Sequence, residues 1–169
     1  AKVLQSRFPS CRTALMVAPT FKKEFFNDYL KEHDSSLMVI KEDPLVMMQI
    51  SDVILVASGT ATLMVGMMAK PMVIMYRMNP ITSFFAKRLV KVPFFGMANL
   101  VLGEKVVEEL FQEAAEANGL VQALEPLIAD SRLREQLQLK LAKIRDRLGQ
   151  KGANHRVVEE LDEYFAKPK

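Results

Sequence analysis

Apolar residues along this chain follow two rhythms, and each predicts a different element. Continuous or nearly continuous apolar runs at residues 11–18 (CRTALMVA), 36–40, 52–57 (DVILVA) and 71–76 (PMVIMY) predict short strands buried in a parallel sheet. A period near 3.6 predicts helices. Phe21, Phe25, Phe26, Tyr29 and Leu30 share one face, with Lys22, Lys23, Asp28 and Lys31 opposite. Leu133, Leu137, Leu141, Ile144 and Leu148 form a single stripe. Val157, Val158, Leu161 and Phe165 form another after the Gly149-Gln150-Lys151-Gly152 break. Asp43 before Pro44 reads as an N-cap with proline at the first helical position, opening a short helix to Ile50. Residues 1–8 read as the last turns of a longer helix. Pro93, Gly96 and Asn99 mark a loop, and no strand signal appears from about Glu104 onward.

The unit at residues 52–76 is the clearest: a strand, a turn at Ser58-Gly59-Thr60, a helix of small and apolar residues over 61–69, and a second strand. A strand, helix and strand in this order form a right-handed crossover, which requires parallel strands. The fold class is therefore α/β, a doubly wound parallel sheet with a helical C-terminal tail. Residues 1–130 are expected to form the α/β domain and residues 131–169 the C-terminal helices. The final helix has no strand layer left to cover, so it is expected to stay exposed or to pair with another chain as a homo-oligomer.

Composition narrows the class. Of 169 residues, 50% are hydrophobic and 25% charged, which excludes a disordered or fibrous chain. Lys70, Arg77, Lys87 and Arg88 interrupt the most apolar third, so no run reaches the roughly 18 residues a bilayer span requires. With 23 basic and 20 acidic residues the net charge of +3 is too small to imply nucleic acid as a partner. The lone Cys11 reads as a core residue in a reducing, cytoplasmic setting. The chain opens at Ala1 without an initiator Met, inside an apparent helix, and reads as a fragment.

The chemistry-bearing residues cluster after the strand at 52–57. Ser58, Gly59, Thr60, Ala61 and Thr62 stand where a parallel strand ends and a helix begins, which is where open α/β sheets bind ligands. Unpaired amides and the positive helix end suit a phosphate, Gly59 permits close backbone approach, and the hydroxyls of Ser58, Thr60 and Thr62 offer further donors. The alternative is a plain N-cap and turn. The pattern matches neither a GxGxxG nor a Walker loop. Tyr76 and Arg77 end the next strand, where Arg77 can reach an anion or serve simply as a surface residue. His33 and His155 have no partner at metal-ligand spacing. Glu108, Glu109, Glu113 and Glu116 read as a solvated helix face. Phe84, Phe85, Phe94 and Phe95, flanked by Lys87, Arg88 and Lys91, suit either a core-facing helix or an anionic-lipid contact. The 11 methionines fit either an adaptable core or a surface tolerant of acyl chains.

The segments DVILVASGTATL, KPMVIMYRMNPIT, FFAKRLVKVPFFGMANLVLG and VVEELFQE, in this order, resemble the carboxyl-terminal half of the lipid-A-disaccharide synthase family, bacterial glycosyltransferases of the GT-B type. The resemblance is strongest over residues 51–113. It implies a Rossmann-like domain holding a UDP-sugar, and transfer of diacylglucosamine from UDP to a diacylglucosamine 1-phosphate, with UDP leaving without a metal or other cofactor. By position, Ser58, Gly59, Thr60, Ala61 and Thr62 would lie against the UDP phosphates, and Tyr76, Arg77 and Asn99 would line the cleft. Glu109 and Gln112 match the family's EL-x-Q segment, where an acidic side chain would accept from the ribose hydroxyls. The presumed base belongs to an acceptor-side domain absent from this chain, so the chain is expected to be inactive alone. Lipid substrates make Phe84, Phe85, Lys87, Arg88, Lys91, Phe94 and Phe95 a membrane or acyl contact, and imply a peripheral position on the cytoplasmic face of the bacterial inner membrane. Met64 and Glu104 stand where the resemblance implies a glutamate and an arginine. Two other readings stay open: another GT-B UDP-sugar enzyme, such as the peptidoglycan N-acetylglucosaminyltransferase or the non-hydrolysing epimerase, and a divergent non-catalytic interaction module.

Overall fold

The computed structural model describes residues 1–18, 21–22, 26, 30, 37–41, 43–79, 93–149 and 152–166. Within them, β1 (Ala14–Met16) pairs with β2 (Met38–Ile40), and β3 (Ile54–Ala57), β4 (Met72–Tyr76) and β5 (Glu108–Phe111) form a second sheet in that order. Every pairing is parallel, as the crossover required. Helices whose bounds lie among the described residues are α1 (Lys2–Arg7), α2 (Pro44–Ile50), α3 (Thr60–Met67), α4 (Met97–Leu102), α5 (Ala117–Ala129), α6 (Ser131–Leu148) and α7 (Ala153–Ala166). A 3-10 turn over Gln112–Ala115 follows β5.

Local chemistry sets the helix ends. The Asp43 side chain accepts from the Leu45 amide at 2.8 Å and caps α2, with Pro44 beside it. Asp130 does the same for α6 through the amides of Arg132 and Leu133. Three C-termini are closed by basic side chains, which satisfy orphan carbonyls and meet the negative end of the helix dipole. Lys70 reaches Gln49 and Ser51 after α2, Arg145 reaches Met67 at the end of α3, and Arg134 reaches Leu127 and Ile128 in the last turn of α5.

β4 is the centre of the core. Met72, Val73 and Ile74 are all buried, so both faces of this strand are covered. α3, α4 and α6 pack on one another, with Val65, Ala98, Leu141 and Ile144 fully buried among them. Gly66 permits the close approach: a β-carbon there would come within 2.6 Å of the Ile144 δ-carbon and 3.4 Å of the Ala98 β-carbon. α5 packs on β4, β5 and α6, and its amino-terminal partner α1 is tied to it by an Arg7–Glu125 ion pair of 2.6 Å. α6 thus belongs to the α/β core through the predicted stripe of Leu137, Leu141 and Ile144, while Leu133 and Leu148 at its ends are exposed. Every residue of α7 is exposed.

Four readings change. The stretch taken for a loop at Asn99 is helix α4, closed by Gly103 in the left-handed conformation (φ +69°), because Ala98 and Leu102 bury against α3 and α6. A strand does follow Glu104: β5 carries Glu108 and Glu109, yet Val107 is buried and the segment pairs with β4, so tertiary pairing overrides its acidic appearance. Glu108 is an exposed strand residue bridged to Lys105 at 2.7 Å. The first strand is half-exposed and Cys11 only partly buried, because β1 has β2 as its one strand neighbour among the described residues. Most of the helix read from Phe21 to Leu30, and the amphipathic stretch over 81–92, lie outside the described residues.

Ile144→Ala removes a fully buried side chain and is expected to lower the unfolding free energy by about 2–5 kcal/mol. Leu139→Ala, on the same helix but 74% exposed, is expected to change it by less than about 0.5 kcal/mol. Urea unfolding followed by circular dichroism checks both values.

Candidate functional site

The parallel register brings the carboxyl ends of three strands to one edge, with Ala57 opposite Met75 and Tyr76 opposite Phe111. From this edge run the Ser58-Gly59 turn into α3, the Arg77–Asn79 segment after β4, and Gln112 after β5. Gly59 has φ +147° and ψ −165°, a conformation that residues with a β-carbon rarely adopt, although the space around it is open. Backbone geometry therefore demands the glycine.

Beyond Gly59, the first turn of α3 presents the amides of Thr60 and Ala61, for which no acceptor is found among the described residues. The hydroxyls behave differently from the expectation that all three add donors. Ser58 Oγ donates to the Phe95 carbonyl at 3.0 Å. Fully buried Thr62 donates to the Gly59 carbonyl at 2.7 Å and accepts from the Met97 amide at 3.1 Å. Only Thr60 is exposed among the hydroxyl residues of this turn. Ser58 and Thr62 bind the turn to residues 95–97, the approach to α4.

Asn99 is fully buried behind the edge. Its Nδ2 donates to the Val107 carbonyl (2.9 Å) and to Glu109 Oε1 (2.7 Å), and its Oδ1 accepts from the amides of Val106 (2.8 Å) and Val107 (3.0 Å). Glu109, read from sequence as part of a solvated helix face, also accepts from the Phe95 amide at 2.6 Å and the Gly96 amide at 3.0 Å. Gln112, buried with φ +53°, clamps the segment after β4: its Nε2 donates to the Met78 carbonyl and its Oε1 accepts from the Met78 amide, both at 3.0 Å.

Three aromatic rings gather on the same edge. Tyr76 stacks on Phe95 with centroids 6.2 Å apart, and Phe95 on Phe111 at 5.1 Å. Tyr76 and Phe111 are 5.9 Å apart. Phe95 keeps 39% of its surface exposed, and Arg77 beside Tyr76 is exposed. Phe111 escaped the sequence reading because its strand did, and VVEELF, with two glutamates between apolar pairs, has no period-2 alternation to betray it. Phe94 is half-buried, while Phe84, Phe85, Lys87, Arg88 and Lys91 lie outside the described residues. An apolar groove of about 620 Å³ sits at the amino ends of β4 and β5, lined by Met72, Val107, Ala123, Leu127 and Leu137, at the opposite end of the strands from the Ser58 turn. Among the described residues no helix is long and apolar enough to cross a membrane.

Fold and site together define a Rossmann-like α/β protein that presents an open helix amino-terminus at the carboxyl edge of a parallel sheet. The chain belongs to the family described as Lipid-A-disaccharide synthetase, whose sequence model matches residues 1–161. It is 33% identical over 158 residues to a lipid-A-disaccharide synthase of Geobacter metallireducens, covering 94% of this chain and 41% of that protein. The corresponding enzyme of Acidobacterium capsulatum is 40% identical over 100 residues, 59% of this chain and 25% of the relative. That of Anaeromyxobacter dehalogenans strain 2CP-C is 32% identical over 162 residues, 95% of this chain and 42% of the relative. The chain therefore spans about two fifths of the length of its long-range matches.

Replacing Asn99 by Ala leaves the buried Val107 amide and carbonyl and the half-buried Val106 amide without their partner and is expected to cost about 3 kcal/mol or more of stability. Gln112→Ala frees only the partly buried Met78 backbone and is expected to cost about 1–2 kcal/mol. Thermal and urea unfolding of the two variants give the order.

Proposed function

We propose that this chain is the nucleotide-sugar half of a lipid-A-disaccharide synthase. The observation that carries the reading is the pair of amides at Thr60 and Ala61 that find no acceptor among the described residues, next to Gly59, whose side-chain position is open. A UDP diphosphate seated there accepts from these amides and from exposed Thr60, and meets the positive end of the α3 dipole. Arg77, exposed at the end of β4, adds a mobile positive charge at the same edge. Ser58 and Thr62 set the shape of the turn from within, and Asn99 and Gln112 hold the walls.

The reaction we assign to the whole enzyme joins two lipids. The 6-hydroxyl of a diacylglucosamine 1-phosphate attacks the anomeric carbon of UDP-diacylglucosamine, the bond to the β-phosphate oxygen breaks, and the hydroxyl proton passes to a base outside this chain. UDP leaves with an added negative charge. Preorganised amides and a cation at that oxygen stabilise the charge as it develops, which lowers the barrier in the way an oxyanion hole does. The aromatic edge of Tyr76, Phe95 and Phe111 faces the acylated part of the substrate, and the Phe84 to Phe95 stretch contacts acyl chains or the cytoplasmic membrane surface. The partners are thus a UDP-sugar, an acylated glucosamine lipid and an anionic bilayer, with a second copy of the chain as the candidate cover for α7.

Calorimetric titration of the chain with UDP, and with ADP as a control, tests the nucleotide reading. Selective UDP binding is expected, lost in Gly59→Asp, which sets a carboxylate before the amides. In Gly59→Ala, which adds backbone strain without charge, binding is expected to weaken but persist. Equal binding of UDP by wild type and Gly59→Asp would remove the turn from the site.

A further inference from the structure

We infer that Glu109 is a positioning residue: its carboxylate acts as an internal anion that gathers the amides of Phe95 and Gly96 and the side-chain amide of Asn99, and so fixes the ledge against which the Ser58–Thr62 turn is built. The inference rests on reading that turn as the diphosphate site. It replaces the acceptor role toward ribose that position in the sequence implied for Glu109.

The donor set is what singles out a carboxylate. Oε2 accepts from Phe95 N at 2.6 Å, and Oε1 accepts from Gly96 N at 3.0 Å and from Asn99 Nδ2 at 2.7 Å. All the partners are donors, and both oxygens of an ionised carboxylate only accept. A glutamine has the same shape but turns an NH2 toward at least one of these donors. Charge assistance makes such bonds shorter and stronger than neutral ones, and the 2.6 Å contact fits that class. Gly96 is shaped to the same contact. A β-carbon there would come within 3.0 Å of Glu109 Oε1 and would collide with the Ile74 δ-carbon.

The ledge reaches the phosphate turn by two further bonds. The Phe95 carbonyl accepts from Ser58 Oγ, and the Met97 amide donates to Thr62 Oγ1. Residues 95–97 are thus held from β5 on one side by Glu109 and hold the 58–62 turn on the other. Removing the carboxylate leaves the Phe95 and Gly96 amides without their acceptor, and Ser58 and Thr62 lose fixed partners. Ordering the turn then becomes a cost of binding the ligand, so affinity falls although Glu109 never touches it.

Nuclear magnetic resonance and UDP calorimetry on the 169-residue chain test this in wild type, Glu109→Ala and Glu109→Gln. In wild type, scalar coupling across the hydrogen bond from the Phe95 nitrogen to the Glu109 carboxyl carbon is expected, with slow exchange of the Phe95 and Gly96 amides. Absence of the coupling together with fast exchange overturns the inference without any variant. In Glu109→Ala the two amides are expected to lose protection and UDP affinity to fall about tenfold or more, the scale of a lost charge-assisted hydrogen bond. Millimolar formate, which fits the vacated cradle, is expected to restore both, where the same concentration of chloride does not. Glu109→Gln is expected to follow Glu109→Ala, and it decides the matter if the alanine variant does not fold. Unchanged UDP affinity in a folded variant, or a loss in Glu109→Ala that formate fails to restore, overturns the positioning role and leaves the diphosphate reading standing. A wild-type chain that binds no UDP overturns both.

Discussion

A fully buried side-chain amide must find its hydrogen bonds inside the protein, and the carboxyl edge of this sheet is organised around one that does. Asn99 joins α4 to the start of β5 through the backbone of Val106 and Val107, and passes its remaining donor to Glu109. The arrangement is satisfied at every atom the contacts name, which is the condition under which a buried polar network adds order instead of strain. Without it β5 would have no fixed start, Glu109 no fixed carboxylate, and the Phe95–Met97 ledge no fixed place.

From that anchor the edge divides into two kinds of polar group. Ser58, Thr62, Glu109 and Gln112 are engaged with protein partners and define shape. The amides of Thr60 and Ala61 have no acceptor among the described residues. Such a division is what preorganisation requires: groups that meet a developing charge stay free, and groups that aim them are already bonded. The aromatic trio adds an apolar shoulder beside the polar turn, an arrangement suited to a ligand that is charged at one end and apolar at the other.

The helices behind the sheet back the edge through close contacts. α3 meets α6 closely at Gly66, and Ile144 fills the space the missing side chain leaves. The Arg145 side chain closes the end of α3 at the Met67 carbonyl, so α6 holds the same helix at its far end from the open amides. α7 contributes nothing to this core, since its apolar residues Val157, Val158, Leu161 and Phe165 are all exposed.

Much of this was legible in sequence, and what was not shares one cause. The crossover over residues 52–76, the Asp43 cap and the stripe through Leu137, Leu141 and Ile144 are local patterns, fixed by hydrophobic period and cap chemistry within a few residues. The place of the Ser58–Thr62 turn at a strand's carboxyl end followed from the same logic. β5 was hidden because Glu108 and Glu109 look like solvated helix, and only pairing with β4 makes them strand. α4 was hidden because Gly96 and Asn99 look like turn residues, and only burial of Ala98 and Leu102 makes the segment from Met97 helix, with Gly96 as its extended cap. The roles of Ser58, Thr62, Asn99, Glu109 and Gln112 depend on partners 3 to 37 residues away, mostly on other elements. Sequence by itself determined the parallel α/β class and the turn that follows β3 at the carboxyl edge, because those follow from periods of a few residues. Tertiary structure alone decided which polar groups at that turn remain open, because a hydrogen bond is assigned by distance and direction, and distant segments acquire those only on folding.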